Sequence, residues 1–547
     1  MFKRKFVLTL TVLLILTTVL SGCGSSKTTQ QPQEKNETSN NEPVVLNFNL
    51  AADPRTIDPG LNDAIDGSHV INNTFEGLMR EIDGKLENAM AEKVDISDDG
   101  TVYTFHIRDA KWSDGKPVRA QDFEYAWKRV LDPSTAAPYS YHMFYIKNAK
   151  AYYEGKAKIE DVGIKAIDDK TFKVTLETPT SYFLSLITRP AFMPVRKDIV
   201  EKAPETWAKD PNLAVSNGPF ILADYKTADK LVLKKNPNYW AADTVKIDQI
   251  NYLMIIEAST ALTAYESGEI DIIGNIPSQE IPRLMGEDST FHVLPMLGTY
   301  YLIFNVNRPP TDDVKVRRAL ALAIDRKAIT ENVKRSGEIP ATGFNPAGLK
   351  DSQGRDFNKT AGDYGINVDG GNIEEAKKLL AKAGYPDGKG FPEITLLYNT
   401  SESHKAIAEA IQEMWKKNLG INIRLANQEW AVFQDTRKQG NFDIARGGYI
   451  SDYPDPVGLL ELFTTNSANN APHWSNKEYD ELIAKSRLVK GTERDELLYK
   501  AQDILMKEMP VTPIFYYTDP VMVKDYVKGW QKNSMSYWYF GRVSIEK

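Results

Sequence analysis

The sequence predicts an α/β protein built from more than one lobe. Three observations carry this reading. The chain has 547 residues, whereas single hydrophobic cores stop growing at roughly 250–300 residues, so two or three lobes are expected. Up to about Asn307 the chain is rich in short alternating apolar segments separated by turn residues. Beyond Asn307 amphipathic helical stretches alternate with short apolar runs, as in an α/β lobe. A hydrophobic content of 42% with 26% charged residues excludes a disordered chain and a multi-span membrane protein. The net charge of −7 argues against nucleic acid as the main partner.

In order along the chain, Met1–Gly22 reads as a secretory signal. Lys3, Arg4 and Lys5 precede the apolar run Phe6–Leu20, which is too short for the ~20 residues of a comfortable span. The run ends in Leu20-Ser21-Gly22-Cys23, which resembles a bacterial lipoprotein signal with Cys23 as the lipidated residue; Cys23 is the only cysteine in the chain. A single cysteine excludes an internal disulfide framework and a thiolate-cluster metal site. Residues 23–43 are Ser, Thr, Gln, Asn, Glu and Lys with almost nothing apolar, which predicts a flexible tether.

Val44–Leu50 alternates as a half-buried strand does. Asp99-Gly100 before Thr101–Ile107 is a hairpin signal, and Asp168-Asp169-Lys170 joins Lys165–Ile167 to Thr171–Leu176 in another. Leu231–Lys235 and Ile250–Ile255 also read as strands. One helix is expected over Val314–Val333 and others over Asn372–Ala383, His404–Leu419 and Thr492–Met509. The last opens with Thr492-x-x-Asp495, close to a capping box. Strands are expected at Glu393–Tyr398 and Ile421–Ala426. There is no internal repeat.

No nucleophile elbow, phosphate-binding loop, dinucleotide fingerprint or His-Glu-x-x-His motif is present. The six histidines have no i,i+4 pair. Asp95-x-Ser97-x-Asp99-Gly100 faintly resembles a calcium loop but has His106 where the closing Glu belongs, so it reads as a turn. No catalytic residue, metal or cofactor is expected.

Residues 91–123, AEKVDISDDGTVYTFHIRDAKWSDGKPVRAQDF, resemble the signature of the peptide- and nickel-binding class of extracellular solute-binding proteins, which serve ABC importers. Ile57-Asp58-Pro59, Phe75-Glu76-Gly77-Leu78, Ser216-Asn217-Gly218-Pro219, Tyr265-x-Ser267-Gly268-Glu269-Ile270-Asp271 and Val316-Arg317-Arg318-Ala319-Leu320 are similar to family landmarks. Leu396–Ser401, Asn427-Gln428-Glu429-Trp430 and Asp452-Tyr453-x-x-Pro456 resemble the oligopeptide-binding members most. The resemblance implies a three-lobed, periplasmic-binding-protein-like α/β fold with a hinge and an extra inserted lobe. Its boundaries would be 44–82, 210–307 and 518–547 for a discontinuous first lobe, 83–209 for the inserted lobe and 308–517 for the third.

It also implies site residues. Asp452, which by residue type alone reads as a turn residue, matches the carboxylate that pairs with a peptide's α-ammonium. Asp63 and Ile65 match a segment pairing with the peptide main chain, and Asn305, Gly448 and Ile450 match the opposite side. Asp63 stands where Glu is common, and Tyr449 where Trp is often found. Tyr139, Trp430, Tyr449 and Tyr517 match aromatic cavity walls; without the resemblance they read as core. His404, Arg437 and Arg446 match cations for the peptide carboxylate; their plain reading is solvated charge. The implied partners are an oligopeptide, an ABC permease and, through the lipid anchor, the membrane; the protein is expected to be a monomer on the extracytoplasmic face. The alternatives are the same fold binding a dipeptide, murein peptide, signalling peptide or nickel, or a secreted hydrolase. A dipeptide receptor would be expected to place a cation close to Asp452.

Overall fold

The computed structural model describes residues 42–547 apart from Asp83 and Ser534, so the expected signal Met1–Gly22, Cys23 and nearly all of the tether lie outside the described residues. Among the described residues the largest sheet has eleven strands. Val45–Asn49 buries Leu46 and Phe48 and leaves Val45 and Asn47 partly exposed, as the alternation in VVLNFNL requires. It lies parallel to Gln249–Leu253, from which the sheet continues antiparallel through Lys230–Lys235 to Phe220–Lys226. On its other side come Ile272–Ile273 and the long strands Val511–Val523 and Phe291–Phe304. The sheet then runs through Ile444–Ile450 and Thr395–Asn399 to Arg424–Gln428. Pieces from the beginning, middle and end of the chain thus share one sheet.

The two long strands extend across both halves of it. Their ladder is regular from Phe291 opposite Met522 to Pro295 opposite Thr518, is interrupted, and resumes with Thr299 opposite Tyr516. Pro295 has no N–H to donate to a ladder. At Gly298 a Cβ would lie 2.9 Å from both the Ile450 and Tyr517 side chains, so the strands meet there only because that position is glycine.

A separate four-stranded antiparallel sheet is ordered Ala91–Ile96, Val102–Ile107, Thr171–Thr175, Ile164–Ala166. Helix Ala120–Leu131 covers it with Phe123, Trp127, Val130 and Leu131. Trp127 meets Phe172 and Phe192 edge-on at 5.1 and 5.0 Å and donates its indole N–H to the Phe192 carbonyl at 2.8 Å, so the large aromatic is buried without an unpaired donor.

The expected strands and hairpins stand within a few residues of their predicted places, and three expectations are corrected. The helix expected over Val314–Val333 breaks: Val314–Leu322 ends, and Arg326–Ala328 starts anew and leads into a wider turn over Ile329–Lys334. Asp325 causes the restart, accepting the Ala328 N–H at 2.8 Å as a cap. The capping box at Thr492 does not form. Helix Gly491–Glu508 has no side-chain cap, and Asp495 instead accepts the Ser352 N–H at 3.0 Å. The strand expected over Ile421–Ala426 is Arg424–Gln428, because Ile421 and Ile423 are buried as core residues before the ladder begins.

The broken helix delivers Arg326 to the interior, where it is fully buried. It donates to the Pro513 carbonyl at 2.8 Å, the Thr512 hydroxyl at 3.0 Å, and the Ala321 and Ile324 carbonyls at 3.1 and 3.3 Å. Burial pulls its pKa down to about 10, so it stays charged at neutral pH. Arg326→Met should destabilise the protein by several kcal/mol, since each buried group left unpaired costs about 1–3 kcal/mol. Urea unfolding monitored by tryptophan fluorescence checks this; a loss below about 1 kcal/mol would show that the acceptors had found other partners.

Candidate functional site

Strand Ile444–Ile450 is paired on both sides only at its start. Thr395–Asn399 covers Ile444 and Ala445, while Phe291–Phe304 pairs the full length on the other side. The Asn305 N–H bonds the Asp443 carbonyl and the Ser451 N–H bonds the Leu297 carbonyl. These two bonds set the parity of the antiparallel ladder, in which odd-numbered residues 443–451 face Phe291–Phe304. The main-chain groups of Gly448 and Ile450 therefore point outward, along an edge that among the described residues has no strand beside it. A strand edge of this kind is a template for another extended chain.

The chain leaves this edge at Ser451 and presents Asp452. Its carboxylate is 28% exposed. Oδ2 accepts the Tyr449 hydroxyl at 3.1 Å. Oδ1 lies 3.6 Å from Arg189 Nη1, which also donates to the Asp452 main-chain carbonyl. His142 Nε2 stands 3.9 Å from Oδ2, and among the described residues neither ring nitrogen of His142 has a partner within hydrogen-bond distance. Burial works to raise the Asp452 pKa, but the neighbouring His142 ring, the Arg189 cation and the Tyr449 hydroxyl outweigh it and hold the carboxyl below its usual range. Burial lowers His142, so a neutral imidazole faces an ionised carboxylate.

Across the gap lie Asp63 and Ile65, both exposed, at the entry to helix Ile65–Thr74. Asp63 pairs with Arg55 at 2.8 Å, and Tyr139 donates to its carbonyl at 3.5 Å. Asp63, Ile65, Tyr139, Ile450 and Asp452 line one cavity of about 320 Å³ together with Arg189, Met296 and Tyr537. No sequence pattern marks Arg189 or His142 as site residues. Thr188-Arg189-Pro190 carries no motif, and only the fold brings it to Asp452.

Of the other expected residues Arg446 lies earlier on the same strand, while His404, Trp430, Arg437 and Tyr517 come from neighbouring elements. Arg446 is buried, bonds Asn399 Oδ1 at 2.6 Å, and lies over the rings of Trp430, Phe433 and Tyr300 at 5.6, 5.7 and 5.9 Å. Arg437 lies over Phe433 at 5.3 Å and faces a separate cavity of about 610 Å³ beside His473. Burial depresses its pKa and Arg446 adds repulsion. The His404 ring is 5.6 Å from Tyr300, and its Nδ1 has no hydrogen-bond partner among the described residues. Trp430 is half exposed. Tyr517 backs Gly448 so closely that a Cβ there would lie 2.5 Å from its hydroxyl. Asn305 is not brought to the edge: its amide bonds the Gly440 and Phe442 carbonyls at 2.9 and 3.0 Å inside the fold. Among the described residues no group of His, Cys, Asp and Glu could hold a metal ion, and no helix is long and apolar enough to cross a membrane.

Residues 85–471 match the family model for bacterial extracellular solute-binding proteins, family 5. The chain is 40% identical over 542 residues to the oligopeptide-binding protein OppA of Bacillus subtilis (strain 168), covering 97% of each chain. Its structure superposes on the unliganded open form of the periplasmic murein tripeptide-binding protein MppA with a TM-score of 0.84, at 34% identity, covering 92% of this chain and 98% of that one. With Haemophilus influenzae OppA in complex with the peptide RPPGFSPFR the TM-score is 0.68, at the same 34% identity, covering 92% and 99%.

Burial, reinforced by repulsion from Arg446 and Lys334, pulls the His404 pKa down to about 4. Below the ordinary histidine value near 6.5 the unfolded chain takes up a proton that the folded site refuses, so His404 should cost stability progressively as pH falls from about 6.5 to 4. His404→Gln should remove that part of the acid sensitivity, read as the difference in unfolding free energy between pH 7 and pH 4.5. An imidazole resonance of unliganded His404 titrating at 6.5 or above would contradict the assignment.

Proposed function

The chain belongs to the bacterial extracellular solute-binding proteins of family 5, and from that premise we propose that it captures oligopeptides outside the cytoplasm and delivers them to the permease of an ABC importer. The observation that carries this reading is the open strand edge at Gly448 and Ile450, which ends at the Asp452 carboxylate. A peptide laid along the edge gains main-chain hydrogen bonds that any sequence supplies. Asp452 would take the α-ammonium that every unblocked peptide carries. Asp63 and Ile65 would face the peptide from the other side, and Tyr139, Trp430, Tyr449 and Tyr517 would wall the cavity. His404, Arg437 and Arg446 would meet the carboxylate at distances set by peptide length. Asn305 would act through the strand it anchors. The protein binds and releases its cargo unchanged; Cys23 would carry the lipid, residues 23–43 the tether, and the receptor would work as a monomer.

Closure would occur between 44–82, 210–307 and 518–547 with the inserted 83–209 on one side, and 308–517 on the other. The interrupted ladder at Pro295–Thr299 supports a bend there. The higher TM-score with an unliganded open form than with a peptide complex at equal identity supports an open form of this chain, without locating the bend. A second reading, a dipeptide-sized ligand, is favoured by one observation: Arg189 is a cation beside Asp452.

Small-angle scattering should show a smaller radius of gyration at peptide saturation; an unchanged value would count against closure. Asp452→Asn should weaken binding of a free-amine peptide by ~2–5 kcal/mol, the cost of leaving one member of a shielded charge pair alone. Acetylating the peptide should cost a similar amount in wild type, and the two changes should not add. Calorimetry on the four combinations decides; wild-type affinity in Asp452→Asn would move the anchor elsewhere.

A further inference from the structure

We propose that Arg189 is a specificity-determining residue: it donates to the carbonyl oxygen of the ligand's first residue while Asp452 holds that residue's ammonium, so the pair recognises an α-aminoacyl unit. The proposal rests on the peptide-receptor reading above and adds a residue to it. Arg189 is only 4% exposed, and what is left faces the cavity that Asp452 also lines. Its position is held from two sides. Nη1 donates to the Asp452 main-chain carbonyl, and the guanidinium lies over the Tyr139 ring with its carbon 5.0 Å from the centroid. Tyr139 in turn stacks on His142 at 4.9 Å with the rings 8° from parallel. Among the described residues Arg189 makes no other side-chain hydrogen bond, so the rest of its fork is unspent.

The charges require a ligand with two poles. Oδ2 of Asp452 already accepts the Tyr449 hydroxyl, which leaves Oδ1, the oxygen 3.6 Å from Arg189, as the less engaged of the two. An ammonium docking on Oδ1 comes within range of the fixed guanidinium and is repelled by it. That repulsion is relieved only if the ligand brings an acceptor on the same side. In an α-aminoacyl group the nitrogen and the carbonyl oxygen are attached to adjacent atoms and lie roughly 3 Å apart, which matches the spacing of the two protein groups. Carboxylate, ammonium, carbonyl and guanidinium then form a compact ring of alternating charge. A carbonyl oxygen has two lone pairs, so it can bond Arg189 and the Ile450 N–H together. The oxygen is that of the first peptide bond, which every peptide has, so the cation beside Asp452 does not by itself limit peptide length.

The test is calorimetry with trialanine, with its analogue in which the first peptide bond is an (E)-alkene, and with dialanine, on wild type, Arg189→Met and Arg189→Gln. In wild type the alkene should bind about tenfold to a hundredfold more weakly than trialanine, the range for a hydrogen bond from a charged donor. In both variants that ratio should fall by about tenfold. The ratio is taken on one protein sample, so partial unfolding of a variant does not alter it, and Arg189→Gln retains a donor for the Asp452 carbonyl. An unchanged ratio with trialanine still bound would overturn the role of Arg189 alone. Loss confined to dialanine would also overturn it, by assigning Arg189 to a terminal carboxylate. If neither free-amine peptide binds wild type, the receptor reading fails and this inference with it.

Discussion

A strand inside a sheet satisfies its main chain on both sides, and Ile444–Ile450 does so only at its beginning. Unpaired main-chain groups must find water or a partner, and here they face a gap lined by the opposite segment Asp63–Ile65. The surrounding side chains are arranged to keep the edge open and straight. Gly447 lets Tyr301 pack beneath the strand, since a Cβ there would come within 2.3 Å of the ring, and Gly448 does the same for the Tyr517 hydroxyl. Two consecutive glycines in a strand usually weaken it; these allow aromatic rings to brace the strand from both faces. The resulting surface offers main-chain partners with no side-chain preference, which suits a receptor for many peptide sequences.

The end of the edge is defined by charge rather than by shape. Asp452, Arg189 and the neutral ring of His142 meet there, and the carboxylate stays ionised because its neighbours outweigh its burial. A bare carboxylate would accept any cation. One paired with a fixed guanidinium favours ligands that carry both signs close together, and an amino terminus followed by a carbonyl is such a group. The histidine, both of whose nitrogens lack a partner among the described residues, contributes volume and polarity without charge.

The same sheet that presents the edge also links the two sides of the gap. Phe291–Phe304 and Val511–Val523 run from one to the other, and their ladder fails at Pro295–Thr299, the stretch that contains Gly298, where a Cβ would collide with Ile450 and Tyr517. In the proposed closure a bend at this place would move the edge and the opposing segment relative to one another while each keeps its own core.

Much of the local structure was legible in the residue pattern. VVLNFNL became a strand because its alternation buries Leu46 and Phe48, and the stop at Gly420 held because that residue adopts a left-handed φ of 70°. The signature over residues 91–123 pointed to the family, and with it to Asp452 and Gly448. Side-chain competition was not legible: Asp325 restarts a helix that apolar spacing would have continued, and Asp495 abandons its cap for Ser352. Nor was the company of Asp452. Arg189 and His142 come from segments 263 and 310 positions away, and no local pattern encodes a contact at that separation. Sequence by itself determined which segments are strands and helices and which class of protein they build, because those depend on neighbours along the chain. The tertiary structure alone decided which edge stays open and which cation stands beside the carboxylate, because pairing and electrostatics depend on distance in space.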